Sequence, residues 1–283
     1  MRKLIVTGDD FGLAIPVNEA IEAAHQRGIL TTASLMVGAG FAADAVERAR
    51  RLPALKVGLH LVLVEGRPVL PPRAIPDLVD EQGELSANLF GAGLNFFFRP
   101  GVRRQLEAEI RAQFQAFQDT GLPLDHVNAH HHMHLHPTVL GLVLKVGREF
   151  GLKAVRVPYE PLLPSWRASG GALLPRVAAW LLTAPWSRLL HARLRRAGLR
   201  GNDCVFGLHD SGRMDADLVL RFLRHLPQGV TEMYFHPATR RSPETDRTMS
   251  DYHHQRELEA LISPAVREAV QAAGAQRIAF SEL

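Results

Sequence analysis

Apolar residues are distributed along the chain in two rhythms. Short continuous runs read as buried strands: "KLIVTG" (3–8), "TTASLMV" (31–37), "KVGLHL" (56–61), "DHVNAH" (125–130), "KAVRVP" (153–158), "DCVFGL" (203–208), "TEMYF" (231–235) and "RIAFSE" (277–282). Between most of them, apolar positions recur at helical spacing. In "VRRQLEAEIRAQFQAFQDTG", Leu106, Ile110, Phe114 and Phe117 fall three or four apart and Gly121 ends the segment. "PVNEAIEAAHQRG" carries Pro16 near its first turn and stops at Gly28, "FAADAVERARRLP" stops at Pro53, and "PTVLGLVLKVGREFG" stops at Gly151. "DADLVLRFLRHLPQG" and "SPAVREAVQAAGA" follow the same rule. Alternating strands and helices predict an α/β fold with a parallel sheet. At this length the expectation is an irregular TIM-like (β/α) barrel of seven or eight mostly parallel strands, with an open doubly wound sheet as the alternative. No linker or repeat divides the 283 residues, so a single barrel domain, 1–283, is expected.

Both architectures place chemistry at the carboxyl ends of strands. The polar clusters fall there. Asp9 and Asp10 end the first run, His60 the third and His236 the seventh, and "HDSG" (209–212) follows the sixth. The fourth run leads into "HVNAHHHMHLHP", with six of the chain's fourteen histidines within eleven positions. In an extended chain His126, Asn128 and His130 share one face, with Val127 and Ala129 on the other. A buried polar face needs hydrogen bonds or a metal ion. One carboxylate and two imidazoles can hold a divalent ion and leave positions open for water and substrate. Adjacent aspartates point in different directions from an extended strand, so one can bind metal while the other takes a proton. His236 stands far enough away in sequence to protonate a leaving group from another side.

Composition narrows the class. The chain is 46% hydrophobic and 22% charged, an ordinary globular balance. The lone Cys204 excludes a disulfide framework and a thiolate-rich zinc site. "MRKLIVTGDDFG" reaches two aspartates after too short an apolar run for a secretory signal, so a cytoplasmic protein is expected. A formal charge of +4 is modest for this length, and no nucleic-acid partner is expected. The charge is unevenly spread: residues 161–200 hold seven arginines, all three tryptophans and no Asp or Glu. Pro175 and Arg176 interrupt the apolar run "GALLPRVAAWLLTAPW", which argues against a spanning helix. This basic, Trp-bearing insertion or helical extension, together with "LFGAGLNFFF" (89–98), has the composition of a peripheral membrane contact. Packing on the barrel, or a homodimer contact, is the other reading. His253 and His254 read as surface residues.

"TGDDFGL", "GLHL", "HVNAHHHMHLHP" and "FHPA", in this order and spacing across residues 6 to 238, resemble the YdjC-like carbohydrate deacetylases. "MYFHPATRR" and the length are most similar to the hopanoid-biosynthesis-associated subgroup. The resemblance implies a TIM-like barrel and a metal-dependent N-deacetylase using one divalent ion, zinc or magnesium. By position it implies Asp10, His60 and His130 as metal ligands, Asp9 as base and His236 as acid, with Arg156 near the site. His126 and Asn128 would then orient His130 or the substrate. His132 and His134 would line the pocket beyond the strand, and His136 would begin the next helix. The implied substrate is an N-acetylglucosaminyl group on a hopanoid glycolipid, met at the inner face of the membrane. Soluble N-acetylated oligosaccharides, or a phosphate ester cleaved by the same ligand types, are the alternatives.

Overall fold

In the computed structural model, which describes residues 1–283, the sheet is built around β1 (Arg2–Phe11). The other strands are β2 (Thr32–Leu35), β3 (Lys56–Leu61), β4 (Leu124–Ala129), β5 (Cys204–Phe206), β6 (Gly229–Phe235) and β7 (Ala275–Arg277). Their order is β4-β3-β2-β1-β6-β5, every ladder is parallel, and β7 adds to the start of β1. Helices follow most strands, as the two rhythms predict, and the sheet curls into an irregular TIM-like barrel.

Two expected strands take other forms. "KAVRVP" makes only isolated bridges, Val127 to Val155 and Ala154 to Arg200. These bridges, with Val205 N–H donating to the Tyr159 carbonyl, link β4 to β5. "RIAFSE" leaves the sheet at Arg277, and Phe280–Glu282 is a 3-10 turn whose Phe280 stacks on His126 with ring centroids 4.3 Å apart. Both segments are apolar because they are buried, and burial does not require a ladder partner. Four helices stand where no 3–4 spacing predicts one: Leu89–Phe98; Leu162–Ser169 and Leu173–Arg196, both within the expected 161–200 insertion or helical extension; and Pro243–Thr248. Pro175 does not interrupt the third of these. It sits in the first turn, where no carbonyl awaits its missing N–H.

One buried cluster runs from Leu4 to Val270 and joins sheet to helices. The glycine of "VGLHL" is a steric requirement of the barrel interior. A Cβ at Gly58 would lie 2.4 Å from the His126 ring. His126 is fully buried there, against Asp125 (2.9 Å) and Ser34 (3.1 Å). That places it deep in the barrel, away from the mouth.

Candidate active site

Asp9 and Asp10 do not diverge as neighbours on a regular strand would. The β1–β2 register shifts between Gly8 and Phe11, and Asp10 adopts φ 61°. This bulge turns both carboxylates into the same buried space at the strand end. Left-handed backbone is costly for non-glycine residues, though Asp tolerates it better than most. The only other such residues are Glu65, His131 and His132. Asp10 lies near the end of β1, and the other three follow β3 and β4. Strain of about 1–3 kcal/mol per residue persists only where the surroundings enforce it.

Asp10 Oδ1 lies 3.3 Å from His60 Nε2 and 3.6 Å from His130 Nδ1. The ligand-type atoms of these three residues all fall within 4.8 Å of one another, and all three residues are buried. Both Asp10 oxygens and His60 Nε2 lack a hydrogen-bond partner. Buried polar atoms are rarely left unpaired, and one carboxylate with two imidazoles is a donor set that suits a divalent cation. Burial by itself would raise Asp10, but the neighbouring His130 and His60 rings hold its carboxyl well below the usual range.

Asn128 orients His60 from the adjacent strand. Its Nδ2 donates to Ser34 Oγ (2.9 Å) and Asp9 Oδ1 (3.3 Å), which leaves its Oδ1 facing His60 Nδ1 at 2.7 Å. His60 therefore donates from Nδ1 and presents a free lone pair at Nε2, the tautomer a ligand needs. His130 does not continue β4. The strand ends at Ala129, and His130–Leu135 forms an irregular 3-10 turn.

Asp9 is held by Arg156, whose Nη1 donates to Oδ2 (2.6 Å) and Nη2 to Oδ1 (3.0 Å). Burial pushes Asp9 up, but the guanidinium outweighs it and the carboxyl stays ionised. Arg156 is itself fully buried and also donates to Glu232 on β6, at 3.0 and 2.7 Å. Glu232 was not singled out from sequence. Its signal was a lone acid within the apolar run "TEMYF". Removing one member of a buried ion cluster strands the others, a loss of about 3–5 kcal/mol. Arg156→Met is thus expected to lower stability by about that amount in denaturant titration. A loss under about 1 kcal/mol would mean the cluster does not hold β1 to β6.

His236 follows β6 at the other side of the mouth. Its Nδ1 is 3.4 Å from Ser211 Oγ, which accepts from the Tyr252 hydroxyl at 3.0 Å. Its backbone N–H donates to Glu257 and its carbonyl accepts from His254 Nδ1 (2.6 Å). His254 is buried at 3% exposure, contrary to the surface reading. Burial pushes His236 down to about 4, with Asp10 and Asp9 opposing. The ring therefore rests neutral near pH 7.

The remaining histidines separate. His132 shares a 3.2 Å hydrogen bond with the Tyr234 hydroxyl. His134 is fully buried and donates from Nε2 to the Arg156 carbonyl (3.1 Å), so it supports the arginine rather than the pocket wall. His136 caps the helix Pro137–Glu149, accepting from Thr138 N–H. A cavity of about 460 Å³ opens beside His130, walled by Met36, Phe41, Val62, Glu65 and Arg247. Glu65, His130 and His131 also bring ligand-type atoms together at its rim.

A family model described as YdjC-like protein matches residues 3–272. The chain belongs to the YdjC-like family. Among curated relatives of this family member, the carbohydrate deacetylase of Brevibacillus brevis is 41% identical over 157 residues, 56% of this chain and 60% of that protein. The carbohydrate deacetylase of Vibrio cholerae is 37% identical over 149 residues, 52% of this chain and 56% of its own length. The chain thus spans little more than half of either relative. The carbohydrate deacetylase of Thermoanaerobacter pseudethanolicus aligns over 93% of this chain and 90% of its own, at 26% identity. Among solved structures, an Enterococcus faecalis protein provisionally named for cellobiose-phosphate cleavage superposes with TM-score 0.75 and 25% identity, covering 99% of this chain and 98% of that one. A lactam utilization protein from Thermus thermophilus, at TM-score 0.51 and 16% identity over 98% and 99% of the two chains, shares the fold alone.

Proposed function

We propose that this protein is a metal-dependent N-deacetylase that removes acetate from an N-acetylglucosaminyl group carried by a hopanoid glycolipid. The observation that carries the reading is the convergence of Asp10, His60 and His130 beside a separate Asp9 that rests ionised against Arg156. The names of the relatives support the deacetylase class. The glycolipid rests on the resemblance of "MYFHPATRR" to the hopanoid-associated subgroup.

Asp10, His60 and His130 would hold one divalent ion, zinc or magnesium. When bound, such an ion lowers the pKa of water towards about 7 and polarises an amide carbonyl. Asp9 takes the proton of the attacking water. Arg156 fixes both Asp9 oxygens, so the base is held in place and cannot swing away. His236 gives a proton to the departing amine nitrogen, which is otherwise a very poor leaving group. Because burial holds His236 neutral at rest, it takes that proton from solvent before the C–N bond breaks, and Asp9 returns the proton it took from water to solvent afterwards. Ser211 and Tyr252 orient its ring. Tyr234 stands between Arg156 and His236 and, with the His132 bonded to its hydroxyl, would border the sugar. The protein would act in the cytoplasm.

A second reading, phosphate-ester cleavage with two ions, is favoured by the neighbouring Glu65, His130 and His131 group. Acetate and phosphate release are measured from an N-acetylglucosaminyl hopanoid, an N-acetylated chitooligosaccharide and p-nitrophenyl phosphate. Acetate from the hopanoid, abolished by a chelator and restored by zinc or magnesium, is expected. Acetate from the soluble sugar alone would discard the glycolipid, and phosphate release alone would replace the deacetylase.

A further inference from the structure

Apart from Met1, every exposed large hydrophobic side chain lies on three helices: Leu89–Phe98, Leu162–Ser169 and Leu173–Arg196. On the long helix, Leu174, Leu181 and Leu189 recur at spacings that keep them on one side, with Leu182 beside them. Leu174 is 81% and Leu182 72% exposed. The opposite side buries Ala184, Ser187, Leu190 and Leu194 against the protein. On Leu89–Phe98, Phe90, Leu94 and Phe98 face solvent, with Phe90 79% exposed.

Both patches attach to the same short segment, the turn that begins with His130. Phe96 and Phe97 pack edge-on around His136, with ring centroids 6.1 and 6.0 Å away. Arg193 donates to the Pro137 carbonyl at 3.1 Å, and the long helix also packs on the His130–Leu135 turn. At its other end Arg176 grips Asp210 through two bonds of 2.7 and 2.8 Å, one residue from the Ser211 that touches His236. The apolar helices therefore border the candidate active site and are pinned to it.

The charge on the two helices within 161–200 is one-sided. Arg167, Arg188, Arg195 and Arg196 are exposed, and none is within salt-bridge distance of a carboxylate. From Pro161 to Arg200 there is no acidic residue at all. A second copy docked symmetrically on this face would set arginines against arginines. A nucleic acid would use the arginines and leave the leucines in water. A surface that offers acyl chains beneath negative headgroups matches both features. No helix is long and apolar enough to cross a membrane, so the contact would be interfacial.

We infer that this face docks on an anionic lipid bilayer and brings the mouth beside His130 and His236 to the membrane surface. Docking stands on exposure and charge alone. Its use for presenting a lipid-anchored substrate rests on the deacetylase reading. The full chain is tested by flotation with vesicles of phosphatidylcholine, alone or containing phosphatidylglycerol, and by turnover of a soluble N-acetylated chitooligosaccharide. The protein is expected to float with the anionic vesicles and to be released by salt. The double variant Leu181→Glu, Leu182→Glu, and separately Arg195→Glu, Arg196→Glu, should each weaken this binding about tenfold or more. Soluble turnover should be unchanged, since none of these residues touches the site. Absence of vesicle binding by the unaltered chain overturns the inference, as does equal binding by the leucine variant. So does a concentration-dependent dimer in size-exclusion chromatography that the leucine variant dissolves. Absence of acetate release by the unaltered chain from both the soluble sugar and the N-acetylglucosaminyl hopanoid would count against the deacetylase reading and leave the docking result standing.

Discussion

An Asp9→Asn variant is expected to keep its divalent ion and lose on the order of 10²–10⁴ in kcat. The side chains have nearly the same shape, so the change tests charge and basicity rather than space. The Asp9 carboxylate hydrogen-bonds to none of the three groups proposed to hold the ion. It is tied to Arg156 and Asn128, so ion content should hold while the proton acceptor disappears. The opposing view is that Asp9 only anchors Arg156. An asparagine would then cost stability, because its amide nitrogen would face a guanidinium, but kcat on the folded fraction would survive. Measuring kcat, KM, ion content and the melting temperature on one preparation separates the two. Unchanged turnover in a variant of lowered stability would remove Asp9 from the base role.

Asp10→Asn should do the reverse. Asn occupies left-handed backbone about as readily as Asp, so the bulge at φ 61° is not disturbed. What changes is the only formal negative charge among the three ligand-type residues. The variant should purify with its ion content strongly reduced and kcat down by on the order of 10³ or more, because the ion's share of transition-state stabilisation is several kcal/mol. High added zinc should recover part of the rate, whereas no metal should rescue Asp9→Asn. Full ion occupancy in Asp10→Asn would show that the ligands lie elsewhere. The group Glu65, His130 and His131 would then be the next to examine.

Arg156 and Glu232 illustrate how far local pattern reaches. Each is a single charged residue in an apolar run, which signals a buried charge but not its partner. The two are 76 residues apart and meet only because 153–159 bridges β4 to β5 while β6 lies beside β5 in the sheet. His134 and His254 show the same limit. A histidine beside other histidines, or in a polar stretch, has no local mark that says whether it faces solvent or holds a carbonyl.

Periodicity determined much by itself. Buried runs alternating with 3–4 spacing imply a parallel sheet wrapped in helices, because each element must bury its apolar side against the other kind. Polar residues ending those runs imply a site at the carboxyl edge. In this way Asp9, Asp10, His60, His130 and His236 were legible as one group. Only the tertiary structure decided how they face each other. The bulge that turns Asp9 and Asp10 together, the approach of His130 at the end of β4 to Asp10 on β1, and the 0% exposure of Arg156 all depend on contacts between distant segments. The same holds for the apolar face. Composition marked 161–200 as unusual, but whether its leucines are buried or bare depends on which side of a helix meets the barrel, and packing alone settles that.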